Sequence, residues 1–204
     1  MKRTLPKTRH RMETLIGILL LLVVIGILWL LRTIPPKDTI RSTVLPQEFS
    51  IDSGHNYIDP QTGDMCSAYA AAYVMRHFGK QITGPELYGD IHRVFGFVPV
   101  HHIVSLFEDY GFHAKAYRGN IDTMKERLTD GVPIIAFVSI PGDTHYVVIV
   151  GYDENFIYLA DSIPDYSNAE GGWYNRRLSV KAFEEIWKTN MYPVENIYIV
   201  VDSE

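Results

Sequence analysis

The single cysteine of this 204-residue chain, Cys66, sits in the stretch "DMCSAYAAAYVMRHFG". A free cysteine is most often a small buried apolar side chain. This one stands at the head of a predicted helix, facing the positive end of the macrodipole, which favours the thiolate. The N–H groups of a first helical turn have no intrahelical acceptor and can donate to an oxyanion. Cys66 is therefore a candidate nucleophile, and as one it requires a base whose other nitrogen is held by an orienting acceptor.

Eight histidines are available. Most fall in tails, loops or helices, and the adjacent His101 and His102 point two ways on one helix. No spacing matches a familiar metal-ligand set, and no cofactor motif is present. His145 differs: it opens the strand "HYVVIVGYD", where rigid backbone would hold it with its ring toward the domain surface. Asp161 ends the following strand, "NFIYLADS", across the turn "GYDEN". Antiparallel pairing sets the start of one strand beside the end of the next, so His145 and Asp161 are predicted to be neighbours.

The elements that must position these residues follow from periodicity. Ala68, Ala71, Ala72, Met75 and Phe78 form one buried face of a helix over 66–78, stopped by Gly79. "TGPELYGDIHRVF" reads as a second helix capped by Thr83, and "PVHHIVSLFEDYG" as a third closed by Gly111. A short strand "FHAKAYRG" and a helix "NIDTMKERLTDG" lead into "VPIIAFVSI", "HYVVIVGYD" and "NFIYLADS", rich in β-branched and aromatic residues. A loop, "IPDYSNAEGGWYNRR", precedes a helix opened by Ser179 and a last strand, "NIYIVVDS". Helices first and an antiparallel sheet afterwards is an α+β order.

Ahead of this domain, Leu15–Leu31 reads "LIGILLLLVVIGILWLL", seventeen residues without charge or proline. At ~1.5 Å per residue such a helix roughly spans a bilayer core. A cleaved signal peptide has an apolar run of about 7–15 residues and a small-residue cleavage site, whereas "RTIPPKDT" follows here. The expected organisation is a basic cytoplasmic tail (1–13), a single transmembrane anchor (14–32), a proline-bearing stalk (33–50) and a domain over 51–204. Lys2, Arg3, Lys7, Arg9 and Arg11 before the span place the bulk of the protein outside the cytoplasm.

Beyond residue 32 the chain carries 13 Lys+Arg against 23 Asp+Glu. So acidic a domain excludes nucleic acid as the expected partner. One cysteine allows no internal disulfide, so the core must hold the fold, and an unpaired cysteine in an exported domain points to a thiol kept for chemistry or to an intermolecular bridge.

The order of a helix-head cysteine, a histidine opening a strand and an aspartate ending the next resembles the papain-like cysteine peptidases. In particular it is similar to the bacteriocin-leader peptidases, family 39, and their stand-alone relatives, over about Ile51–Ser203. "HYVVIVGYDENFIYLADS" is the most specific part of the likeness, and "FEEIW" resembles that family's late helix. The resemblance implies a papain-like α+β fold with Cys66 as nucleophile, His145 as general base then acid, and Asp161 as orienting carboxylate. It also implies Gln61 as a side-chain donor to the oxyanion, although "DPQTGD" alone reads as a solvated loop. The chain departs from the family pattern at three points. Ser67 follows the cysteine where glycine is common, Gln61 lies five rather than six residues ahead of it, and Ser162 replaces a proline.

The resulting expectation is a membrane-anchored extracytoplasmic cysteine peptidase or amidase acting on a peptide or protein. The alternative is a catalytically silent papain-like binding or assembly protein at the membrane surface, with the aromatic-containing loop as its recognition element.

Overall fold

The computed structural model describes residues 7–41, 44–51, 54–189 and 194–202, with side chains of helix α1 described over 11–27. Lys2 and Arg3 of the basic tail, and the last two residues of the expected domain, lie outside the described residues. The chain forms two units, Met1–Ile34 and Pro35–Glu204.

The first unit is helix α1, Lys7–Thr33. Its apolar side chains from Leu15 (67% exposed) to Ile27 (52%) are uncovered on every side of the helix. Among the described residues no helix is both long and apolar enough to cross a membrane. The expected anchor runs on through residues 28–32, whose side chains are outside the described part.

The second unit is an antiparallel sheet with helices on both faces. The spatial order is β2 (His113–Arg118), β7 (Ile197–Asp202), β3 (Ile134–Ile140), β4 (Asp143–Tyr152), β5 (Phe156–Ala160), β6 (Arg176–Ser179); β1 (Phe49–Ser50) also pairs with β4. The central strands read as continuous apolar runs because both faces are covered, and alternation sorts their side chains. Ile135, Phe137, Tyr146 and Val148 join one core with α2 (Cys66–His77) and α4 (Val100–Asp109). Ile134, Ala136, Val147 and Ile149 join the other with α5 (Ile121–Leu128) and α6 (Val180–Trp187). A bulge between Ile149 and Gly151 reverses the alternation, so Tyr152 faces the second core.

Helix α2 is alanine-rich and buried over Ser67–Arg76. Its small side chains let the helix axis lie close to β4. It ends where Gly79 takes φ +83, with the Lys80 N–H donating to the Met75 carbonyl at 3.1 Å, a Schellman closure. Arg76, near its end, is buried and donates to the Tyr57 and Ile82 carbonyls (2.9 and 3.0 Å) and to Asn56 Oδ1 (3.2 Å). It therefore fastens the loop leading to Cys66, and burial pulls its pKa down.

Two expectations change. The second predicted helix is only one short turn, α3 (Gly84–Tyr88). Beyond Gly89 the chain leaves helical geometry, and Phe95 and Gly96 adopt φ +52 and +86 in a tight turn closed by mutual Val94–Phe97 backbone bonds of 2.8 and 3.0 Å. The stalk reading of 33–50 also gives way, because from Pro35 this segment belongs to the compact unit. Asp38 is buried and receives both arms of Arg127 on α5 (2.7 and 2.8 Å), as well as the Tyr198 hydroxyl. Burial opposes ionisation of Asp38, but these donors outweigh it and hold the carboxyl below its ordinary range. The Arg41 N–H donates to Glu126, and β1 pairs with β4.

Candidate active site

Cys66 is the first residue of α2, so its N–H lies in the turn that has no intrahelical acceptors. Its side chain is half-buried and lines an open cleft of about 330 Å³ with Phe95, Phe97, Val98, Asp143 and Tyr146. It lies close enough to the His145 ring to favour the charged imidazolium.

His145 lies near the start of β4, opposite Val138 of β3. Its ring was expected at the surface; instead the residue is 1% exposed. Val148 pairs with Ala160, so continuing that register sets Asp161 opposite Val147, diagonal to His145. The His145 Nε2–H donates to Asp161 Oδ1 at 2.8 Å. This leaves Nδ1 as the ring nitrogen for Cys66. Burial disfavours the charged ring, but the bond to Asp161 and the contact with Cys66 outweigh it and push His145 up to about 9. The imidazolium is thus the favoured form beside Cys66.

Asp161 is held more elaborately than its strand-end position indicates. Oδ1 also accepts the Ile163 N–H at 3.0 Å, and Oδ2 accepts Arg176 at 2.7 Å. Asn175 clasps its backbone both ways, accepting the Asp161 N–H and donating to its carbonyl, each at 2.8 Å. Burial raises the carboxyl pKa, yet His145, Ile163 and Arg176 together bring it below the usual range. Tyr166 stacks on the Arg176 guanidinium at 4.6 Å. The loop read as a recognition element therefore supplies Asn175, Arg176 and Tyr166 as supports for the aspartate. Sequence reasoning missed Asn175 and Arg176, and no local pattern marks either.

Gln61 lies beside this group. Its backbone N–H donates to the Ser162 carbonyl (2.7 Å), its Oε1 accepts the Ser162 hydroxyl (2.7 Å), and its Nε2 donates to the Gly63 carbonyl (2.8 Å). An amide has two Nε2 protons, so this bond occupies one of the two. Ser162, standing where the family has proline, gives Gln61 its anchor. Ser67 is 1% exposed, and its Oγ has no hydrogen-bond partner among the described residues.

The α+β architecture is that of the papain-like cysteine peptidases. Residues 47–193 match the Peptidase C39 like family, and the chain belongs to that family; it is a cysteine-peptidase-like hydrolase. Solved structures share the fold. The peptidase domain of Streptococcus ComA, a bifunctional ABC transporter of a quorum-sensing pathway, has a TM-score of 0.58 at 19% identity, covering 74% of this chain and all of that one. A double-glycine-motif protease from an AMS/PCAT transporter, in complex with its leader peptide, has a TM-score of 0.52 at 16% identity, covering 76% and 98%. Xylellain, a cysteine protease from Xylella fastidiosa, has a TM-score of 0.56 at 11% identity, covering 83% and 92%. A search of curated protein sequences found no match.

Proposed function

We propose that this protein is a membrane-anchored, extracytoplasmic cysteine peptidase or amidase working through Cys66, His145 and Asp161. The observation that carries the reading is the His145 ring, placed beside Cys66 at the head of α2 and hydrogen-bonded on its other side to a buried, doubly supported carboxylate. In the reaction, the Cys66 sulfur bonds to the substrate carbonyl carbon while His145 carries the proton. The Cys66 N–H and the remaining Gln61 amide proton donate to the oxyanion. Collapse of the tetrahedral adduct breaks the C–N bond as His145 hands its proton to the amine. Water, deprotonated by His145, then hydrolyses the thioester. A peptide substrate is supported by the leader peptide held by the double-glycine-motif protease of the same fold.

The test is thiol-directed labelling of the full chain alongside hydrolysis of a peptide library. Cys66→Ala should abolish both, and labelling of His145→Ala at the wild-type rate would refute the assignment. The engagement of Gln61 Nε2 with the Gly63 carbonyl favours the silent binding-protein reading. Under that reading Gln61→Ala would leave labelling unchanged and no peptide would be cleaved.

Membrane anchoring is supported by α1, whose described apolar side chains are exposed on every side, a pattern that needs an apolar surrounding. The excess of basic residues before it supports an outward domain. Protease added to intact cells should remove residues beyond α1, and full protection would refute this orientation.

A further inference from the structure

We propose that the cleft beside Cys66 selects peptides carrying a basic side chain, received by the Phe95 ring and by the carboxylates of Asp64 and Asp143. This rests on the peptidase reading and extends it to the class of substrate.

The first observation is Phe95 itself. It lines the cleft at the tip of the Val94–Phe97 turn, fully exposed at 105%, with φ +52. With Gly96 at φ +86, both central positions of the turn are left-handed, a geometry that favours asparagine, aspartate or glycine. A phenylalanine there meets a steric penalty, and its uncovered ring recovers nothing from burial. Glycine would relieve both costs, so neither local backbone preference nor packing accounts for the residue. A bulky side chain held against its backbone preference at the lip of a reactive cleft is the kind of outlier that points to ligand contact.

The second observation is the polarity of the same cleft. Among the described residues every charged group lining it is a carboxylate: Asp64, which is exposed, and Asp143, whose Oδ1 accepts the Thr144 N–H at 2.7 Å while Oδ2 remains. Among the described residues no lysine or arginine lines it. The wall also holds the unpaired Ser67 Oγ. Beyond residue 32 the chain has ten more acidic than basic residues, a field that draws cationic substrates.

An arginine or lysine satisfies both features. Its alkyl stem packs on apolar surface while its head reaches the carboxylates, and its charge is attracted to the face of an aromatic ring. A leucine would meet the ring but leave the carboxylates against an apolar side chain. A glutamate would be repelled.

The experiment uses the full chain in detergent micelles, with Cys66→Ala preventing turnover. Short fluorescent peptides differing only in one Arg, Lys, Leu or Glu are titrated by anisotropy. The Arg and Lys peptides should bind about tenfold more tightly than the Leu peptide, and added salt should erode that margin. Phe95→Gly and Asp143→Asn, each on the Cys66→Ala background, should each remove most of it. Phe95→Gly relieves backbone strain, so a thermal midpoint no lower than that of its parent certifies its fold. Equal or tighter binding of the Leu peptide, no effect of either variant, or no binding of any peptide overturns the proposal. Selective binding of basic peptides without cleavage by the wild type would instead count against the peptidase reading. Cleavage without basic preference would sink this inference and leave that reading standing.

Discussion

Removing the Arg176 guanidinium should expose how much the buried carboxylate depends on it. Arg176 bonds Asp161 Oδ2 at 2.7 Å, with the two side chains only 11% and 0% exposed. Breaking one side of a buried ion pair costs about 3–5 kcal/mol, because the remaining charge loses its compensation. Asp161 keeps donors from His145 and the Ile163 N–H, so Arg176→Ala should fall at the low end, about 3 kcal/mol. For a domain of this size that is a fall in Tm of roughly 6–12 °C.

The pH dependence separates this electrostatic loss from simple loss of packing on Tyr166. The folded pKa of Asp161 is depressed, so its ionisation stabilises the fold above its unfolded value, and that stability disappears as pH falls through the folded pKa. Without Arg176 the folded pKa rises toward the unfolded one. Wild type and variant should therefore differ most near neutrality and converge in acid, as read by urea unfolding across a pH series. The acid limb of kcat/KM should move to higher pH in the variant. Arg176→Lys should recover part of the charge effect but not the directed bond. A stability loss of the same size at every pH, or no loss at all, would refute the reasoning.

Other perturbations test the remaining parts of the structure. His145 has a folded pKa of about 9, above the unfolded value near 6.5, so its contribution is complete below about pH 6.5 and vanishes as pH rises through about 9. Alkaline stability curves should show that loss in the wild type and a flatter profile in His145→Ala. Ser67→Ala removes a buried hydroxyl that has no partner, and calorimetry should show stabilisation of about 1 kcal/mol; a destabilised variant would mean the hydroxyl is satisfied. Asp38→Ala leaves Arg127 without its bidentate partner and should cost about 3 kcal/mol in urea unfolding, whereas a freely hanging 33–50 segment would give no change. In Gly151→Ala the new Cβ would lie 2.9 Å from both the Phe49 carbonyl oxygen and the Trp173 ring. Overpacking of that kind costs about 1–3 kcal/mol, readable as a lowered Tm, and should loosen the β1 pairing.

Much of the fold was legible in the chain because local signals agreed with their surroundings. The 66–78 periodicity, Gly79, the Ser179 cap and the strand runs each depend on neighbours within a few residues, and the structure realises them. The helix expected over 83–95 stops early because Gly89 and the left-handed turn at Phe95 and Gly96 override a passable apolar pattern. The 33–50 segment was misjudged because what holds it is distant: Arg127 stands 89 residues from Asp38, and Tyr198 160 residues away.

The same division runs through the candidate site. Cys66 at a helix head, and His145 and Asp161 at adjoining strand ends, could be proposed from spacing, since a hairpin brings its own ends together and a helix aims its first turn by local geometry. The burial of His145, the Arg176 and Asn175 clasp on Asp161, the bond between Ser162 and Gln61 and the unpaired Ser67 hydroxyl had no such signal. Each depends on which groups the closed sheet excludes from water, and the cost of a buried charge or an unmet hydrogen bond arises only after packing has removed the solvent.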